Sequence, residues 1–267
     1  MQFDPTTCSP FLLLVHHRHR FSKFNPVVRW ASKLLLPEGF PCHPHRGFET
    51  VTICMRGGMK HRDSVGVKQH YGVGNNKAGD SQWLRAGEGI MHEEMWDGEE
   101  EQELYQIWVD SPRDEKMAEP RVECLTTKGE GTVERPWEGG ADVYIGRVEV
   151  GEGETREVPV RPGHDTVIVY NRRGETLTVN GERVRTHELA ILDGRMCGGV
   201  IRVGGGAGEV LVMTGKPLRQ RVAMGGSFVM ETEEEVETAR RDFQRGTFGN
   251  TWDHEVGDEE WRRTIGR

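Results

Sequence analysis

The sequence predicts an all-β protein of two tandem β domains with a short helix near the C-terminus. Three observations carry this. Glycine supplies 35 of 267 residues, about 13% against an average near 7%, so many tight turns are implied. Between those turns lie short runs rich in β-branched and aromatic residues, spaced as in sandwiches and barrels. A weak internal repeat then doubles the pattern.

The strand runs fall at 49–55, 104–109, 143–150, 166–170, 176–179 and 210–214. The helix begins at Thr232, whose partner Glu235 three residues later makes a capping box. Val236, Ala239 and Phe243 then share one face, and Gly246 after Arg245 is a C-terminal stop. In the repeat, Glu49-Thr50-Val51 matches Asp165-Thr166-Val167 at an offset of 116, which Gly58 and Gly174 keep. The stretch DSQWLRAG at 80–87 resembles ELAILDG at 188–194 at an offset near 108, so the first copy carries extra loop residues. Pro, Gly and charges concentrate over 111–140, which places the joint there. We therefore expect an N-terminal domain over 1–125 and a C-terminal domain over 126–267 that includes the helix and tail.

With 35% hydrophobic and 29% charged residues, the chain is too apolar for disorder and too polar for a membrane protein. The net charge of −8 repels phosphate backbones and argues against direct nucleic-acid binding. Cys8, Cys42, Cys54, Cys124 and Cys197 are odd in number and lack Cys-x-x-Cys spacing, which reads as reduced thiols in a cytoplasmic or nuclear compartment. The apolar run at 11–15 is too short for a signal peptide or a spanning helix.

His43-Pro44-His45 places two imidazoles at i and i+2, on one face of a strand. His92-Glu93-Glu94 repeats the arrangement with an imidazole and a carboxylate. Two such strands side by side inside a barrel would converge three imidazoles and one carboxylate on a first-row transition metal. Glu93 has the opposite parity and should face away, solvated or salt-bridged. On 105–108, alternate residues among Tyr105, Gln106, Ile107 and Trp108 should line the pocket, with either parity open.

The strings HPHRGFETVT, DSQWLRAGEGIMHEEM and LYQIWVD together resemble the signature of the pirin family of the cupin superfamily. SPFLLL and GGSFVMETEEEVETARRDFQRGTFG resemble that family's opening and closing stretches. The resemblance implies a bicupin, two tandem cupin β-barrels, with one metal in the N-terminal barrel held by His43, His45, His92 and Glu94. The repeat offsets send these four positions to Pro159, Arg161, Val200 and Arg202, which hold no metal. His164 and His187 read as satisfied or exposed histidines. Glu49 is the acid of the general HxH-x3-E cupin pattern. Its parity with His43 and His45 aims it inward, as an acceptor that fixes an imidazole tautomer.

Three imidazoles, one carboxylate and no thiolate leave two open octahedral positions, which suits iron, Fe(II)/Fe(III), with Mn, Ni, Co or Cu as alternatives. The resemblance further implies quercetin 2,3-dioxygenase-like cleavage of a planar flavonol or enediol, with Glu94 as the catalytic base. Its alternative is a non-catalytic, iron-dependent transcription coregulator that engages a protein partner in the nucleus. We expect a monomer. The chain departs from its relatives after SPFLLL, where His16, His17, Arg18, His19 and Arg20 replace acidic residues; this cluster and the run Glu99, Glu100, Glu101 read as solvated. Trp137, Trp252 and Trp261 carry no motif.

Overall fold

A computed structural model describes residues 1–19, 38–74, 78–98, 101–127 and 131–266. Arg20, Glu99 and Glu100 lie outside the described residues. The chain divides into two compact units, one of Leu13–Thr126 with Gln220–Arg267 and Met1, the other of Gln2–Leu12 with Thr127–Arg219. No described helix is long and apolar enough to cross a membrane, and none of the five cysteines forms a disulfide.

The first unit contains two facing antiparallel sheets. One runs β2 (Gly39–His45), β7 (Ile90–Trp96), β4 (Gly58–Asp63), β5 (Lys68–Gly72). The other runs β1 (Phe11–His19, in this unit from Leu13 onward), β8 (Gln102–Asp110), β3 (Phe48–Arg56), β6 (Ser81–Arg85), β9 (Arg121–Leu125). Gly47 lets the chain pass from β2 in one sheet to β3 in the other. Its φ is +82°, and a Cβ there would lie 2.1 Å from the Val229 carbonyl oxygen, so only glycine fits.

The second unit repeats the plan. β10 (Val143–Val150), β17 (Gly208–Gly215), β12 (Thr166–Arg173) and β15 (Leu189–Asp193) form one sheet, and β11 (Arg156–Pro159), β16 (Val200–Gly204), β13 (Thr176–Val179) and β14 (Glu182–Arg185) the other. Strand orders β8-β3-β6 and β17-β12-β15 correspond, so the sequence repeat is a structural one. Its interior is a buried apolar cluster of Val158, Val160, Val167, Val169, Ile201, Val203 and their neighbours.

The C-terminal helix forms as expected over Glu233–Gln244, with both bonds of the Thr232–Glu235 capping box present and Val236 and Ala239 buried. We number it α2, after α1 (Pro5–Cys8), and a further short helix α3 covers Asp258–Thr264. The first unit's N-terminal stretch ends at Thr126, and Gln220–Arg267, which the sequence reading places in the C-terminal domain, belongs to the first unit. The physical reason is packing. Phe228, Met230, Val236, Ala239, Phe248, Trp252 and Trp261 form one apolar cluster with Met91 of β7. Arg46, 4% exposed, ties the same segment down by donating to Asp242 at 2.8 Å.

Candidate metal centre

Strands β2 and β7 bring the histidines together. A register irregularity in β2 between Phe40 and His43 sets His43 directly opposite His92 and His45 opposite Ile90. Facing residues of an antiparallel pair share a side, so all three imidazoles point into the first unit's interior. Their ring centroids lie 4.4 Å (His43–His92), 4.7 Å (His45–His92) and 4.8 Å (His43–His45) apart. One nitrogen from each lies within 4.8 Å of the others, a grouping able to hold a metal ion.

The donor chemistry fits a cation. His43 Nδ1 lies 2.7 Å from the Pro41 carbonyl oxygen, which makes Nδ1–H the donor and leaves a lone pair on Nε2. That Nε2 is 3.1 Å from His45 Nε2. Two nitrogens each about 2.1 Å from one metal at a right angle would be about 3.0 Å apart. Both nitrogens of His92 are buried without a hydrogen-bond partner, a costly arrangement unless something else engages them. Burial, and then the neighbouring imidazoles, hold the pKa values of His45 and His92 well below the usual histidine value. Both are therefore neutral and able to ligate.

Glu94 faces the same interior but stands apart from the three-imidazole group. Its Oε1 accepts from the Tyr71 hydroxyl at 2.5 Å and the Thr52 hydroxyl at 3.3 Å, and its Oε2 from Gln106 Nε2 at 2.8 Å. Burial, and then the Glu94 charge, push the Tyr71 pKa well above its usual value, so Tyr71 is a neutral phenol that donates. Beside His45 lie Phe48 and Trp108, with centroids 5.0 and 5.5 Å away. Gln106 and Trp108, rather than Tyr105 and Ile107, are thus the inward residues of β8.

Glu49 is not where parity placed it. It is fully buried and accepts from Trp83 Nε1 at 2.8 Å, on the opposite side of β3 from Phe48 and Thr52. Parity does not carry across the Arg46–Gly47 passage between sheets. Glu93 does face away from the histidines and is salt-bridged, accepting from Arg62 at 2.5 Å and from Trp252 Nε1 at 2.8 Å. At 2% exposed, it is covered rather than solvated. Trp252 thereby has a function its sequence context did not signal. In the basic cluster, His16 and Arg18 pair with Glu103 and Glu101 at 2.9 and 2.5 Å, and His17 stacks on Trp96.

Sequence reasoning missed Tyr71, Thr52 and the buried pair His61 and Asp63. The string His61-Arg62-Asp63 carries the same i, i+2 signal as His43 and His45. In the second unit Pro159 pairs with Val200, as the offsets imply from His43 and His92. Pro159 and Arg202 are exposed, however, and the interior positions are Val158, Val160, Ile201 and Val203. His164 Nδ1 is satisfied by the Thr214 hydroxyl at 2.6 Å and His187 Nδ1 by the Tyr170 hydroxyl at 2.9 Å.

Comparison with known proteins gives a consistent result. The family model described as Pirin matches residues 4–109, and that of the Pirin C-terminal cupin domain matches 136–249. PA3240 of Pseudomonas aeruginosa, which bears quercetin 2,3-dioxygenase as a provisional name, is 34% identical over 91% of this chain and 88% of its own. The crystal structure of a quercetin 2,3-dioxygenase from Acinetobacter baumannii superposes with a TM-score of 0.74 at 29% identity, covering 91% of this chain and 88% of that one. The bacterial pirin YhhW of Escherichia coli, solved in complex with nickel(II), shares the fold at a TM-score of 0.60 and 23% identity, covering 80% and 87%.

Proposed function

This chain belongs to the pirin family, and we propose that it is a metal-dependent dioxygenase of the quercetin 2,3-dioxygenase type acting on a planar flavonol or related enediol. The observation that carries the reading is the convergence of the partly exposed His43 with the buried His45 and His92. We read these three as the residues that hold the metal, with Glu94 as the fourth donor. Iron is the metal in this reading, and manganese, nickel, cobalt or copper suit the same donors.

When bound, the metal supplies Lewis acidity and a redox partner for dioxygen. The chain's own residues do the rest. His43, Gln106 and Trp108 are half-exposed whereas His92 and Glu94 are sealed, so substrate enters on the β2 and β8 side. Phe48 and Trp108, 4.5 Å apart by centroid, offer an apolar aromatic wall to a flat ring. Glu94 acts as base: its carboxylate takes the proton of a ring hydroxyl, which leaves the substrate as an oxyanion and Glu94 as the neutral acid. Tyr71, Thr52 and Gln106 orient the carboxylate beforehand, and one of these donors turns aside as the proton arrives.

The test is oxygen uptake with quercetin by anaerobically iron(II)-loaded protein, beside a His92→Ala control, with carbon monoxide release measured. Iron-dependent turnover that vanishes in the control is the expected result. Absence of turnover at full iron occupancy would overturn the reading and leave an iron-dependent regulator with a protein partner as the alternative.

A further inference from the structure

Strand β4 carries a second same-face pair, His61 and Asp63, which stand opposite Glu94 and His92 of β7. Both are fully buried. Asp63 Oδ1 accepts the backbone N–H groups of Val65 at 3.0 Å and Val67 at 2.9 Å, and Oδ2 lies 3.0 Å from His61 Nε2. A carboxylate offers only acceptors, so these partners assign the His61 proton to Nε2 and leave a lone pair on Nδ1. That Nδ1 is buried without a partner.

The ring of His92 lies 5.5 Å from that of His61, and its two nitrogens are likewise unpartnered. Once one nitrogen of a neutral histidine ligates a metal, the other carries the proton and needs an acceptor. Here a donor without an acceptor and an acceptor without a donor share one buried interior. We propose that Asp63 and His61 are positioning residues of the metal centre: His61, locked as its Nε2–H tautomer by Asp63, stands ready to accept the second ring N–H of His92 through Nδ1 once the first ring nitrogen is engaged by a metal. It thereby fixes which nitrogen His92 turns to the metal. The inference rests on His92 being a ligand, as proposed above.

Asp63→Asn separates this from a merely structural role. The side-chain oxygen still serves Val65 and Val67, but an amide N–H now faces His61 Nε2. The His61 proton moves to Nδ1, and two donors then oppose each other. The experiment is a zinc(II) titration against a chromophoric chelator, with ring 15N spectra of the zinc-loaded full chain. We expect Asp63→Asn and His61→Leu each to weaken zinc binding by about 10–100-fold with unchanged circular dichroism, and the double variant to be no weaker than the worse single one. His61 should show the Nε2–H tautomer in the wild-type chain and Nδ1–H in Asp63→Asn. Wild-type zinc affinity in both single variants, or an Nδ1–H His61 in the unmodified chain, would overturn the proposal. The tautomer measurement needs no variant, so misfolding of Asp63→Asn does not blunt the test. If His92→Ala loses zinc while the Asp63 and His61 variants keep it, this inference alone fails. If His92→Ala binds zinc like wild type, the ligand reading fails with it.

Discussion

His43 and His92 stand directly opposite each other across the β2–β7 pair with ring centroids 4.4 Å apart, the first half-exposed and the second fully buried. Each contributes one of three converging imidazoles. His43→Ala or His92→Ala should lower metal content by more than the roughly 10–100-fold that loss of an outer partner costs. The β fold should persist, because the histidines line one pocket of a unit whose sheets are packed elsewhere. Metal analysis after dialysis, beside far-UV circular dichroism, checks this; unchanged metal in both variants sinks the ligand assignment.

The trio was legible in the sequence because side chains at i and i+2 of a strand share a face, and that rule holds within β2 and within β7. It failed for Glu49, four residues beyond His45, since the chain changes sheets at Gly47 and the count restarts. The repeat was legible as strand order but slipped by one residue in facing, so Pro159 and Arg202 point outward while Val158 and Ile201 fill the interior. The capping box of α2 is a local signal and was read correctly. Its place in the first unit depends on Phe248, Trp252 and Trp261 meeting Met91, which no local pattern encodes. Tyr71 and Thr52 meet Glu94 from other strands, which only the folded register reveals.

Glu94→Gln tests the base. The amide keeps one acceptor oxygen but sets its N–H₂ group against the donors Tyr71, Thr52 or Gln106, at a cost of about 1–3 kcal/mol for an unsatisfied buried group. Some metal should remain on the three imidazoles, and flavonol turnover should be lost. Full turnover in this variant would eliminate Glu94 as the essential base.

Glu93 holds the C-terminal segment. It accepts from Arg62 and Trp252, and Arg62 donates onward to the carbonyls of Val256 and His254 at 2.8 and 3.2 Å. Glu93→Gln leaves the buried Arg62 guanidinium only the exposed Asp258 carboxylate at 3.8 Å as a counter-charge and should destabilise the chain by up to about 3–5 kcal/mol. Trp252→Phe removes one hydrogen bond and should cost less, about 1–3 kcal/mol. The double variant should fall short of the sum, because both act on one carboxylate. Urea denaturation of the four chains measures the coupling, and strict additivity would show that Glu93 does not join the two contacts.

The metal-free chain should lose stability as the pH falls below about 6.5, the usual histidine value. His45 and His92 have folded pKa values well below that, chiefly through burial, so the unfolded chain takes up protons first. Their contribution is therefore fully present above the unfolded value and is lost progressively as pH drops toward the folded one. Each histidine accounts for up to about 1.4 kcal/mol per pH unit once the unfolded imidazole is fully charged. Urea midpoints of chelator-treated protein at pH 7.5 and 5.5 measure the loss. His92→Leu, which removes one of the two depressed groups, should shrink it by up to one histidine's share. An identical pH dependence in wild type and variant would show that His92 does not enter the folded chain as a neutral imidazole.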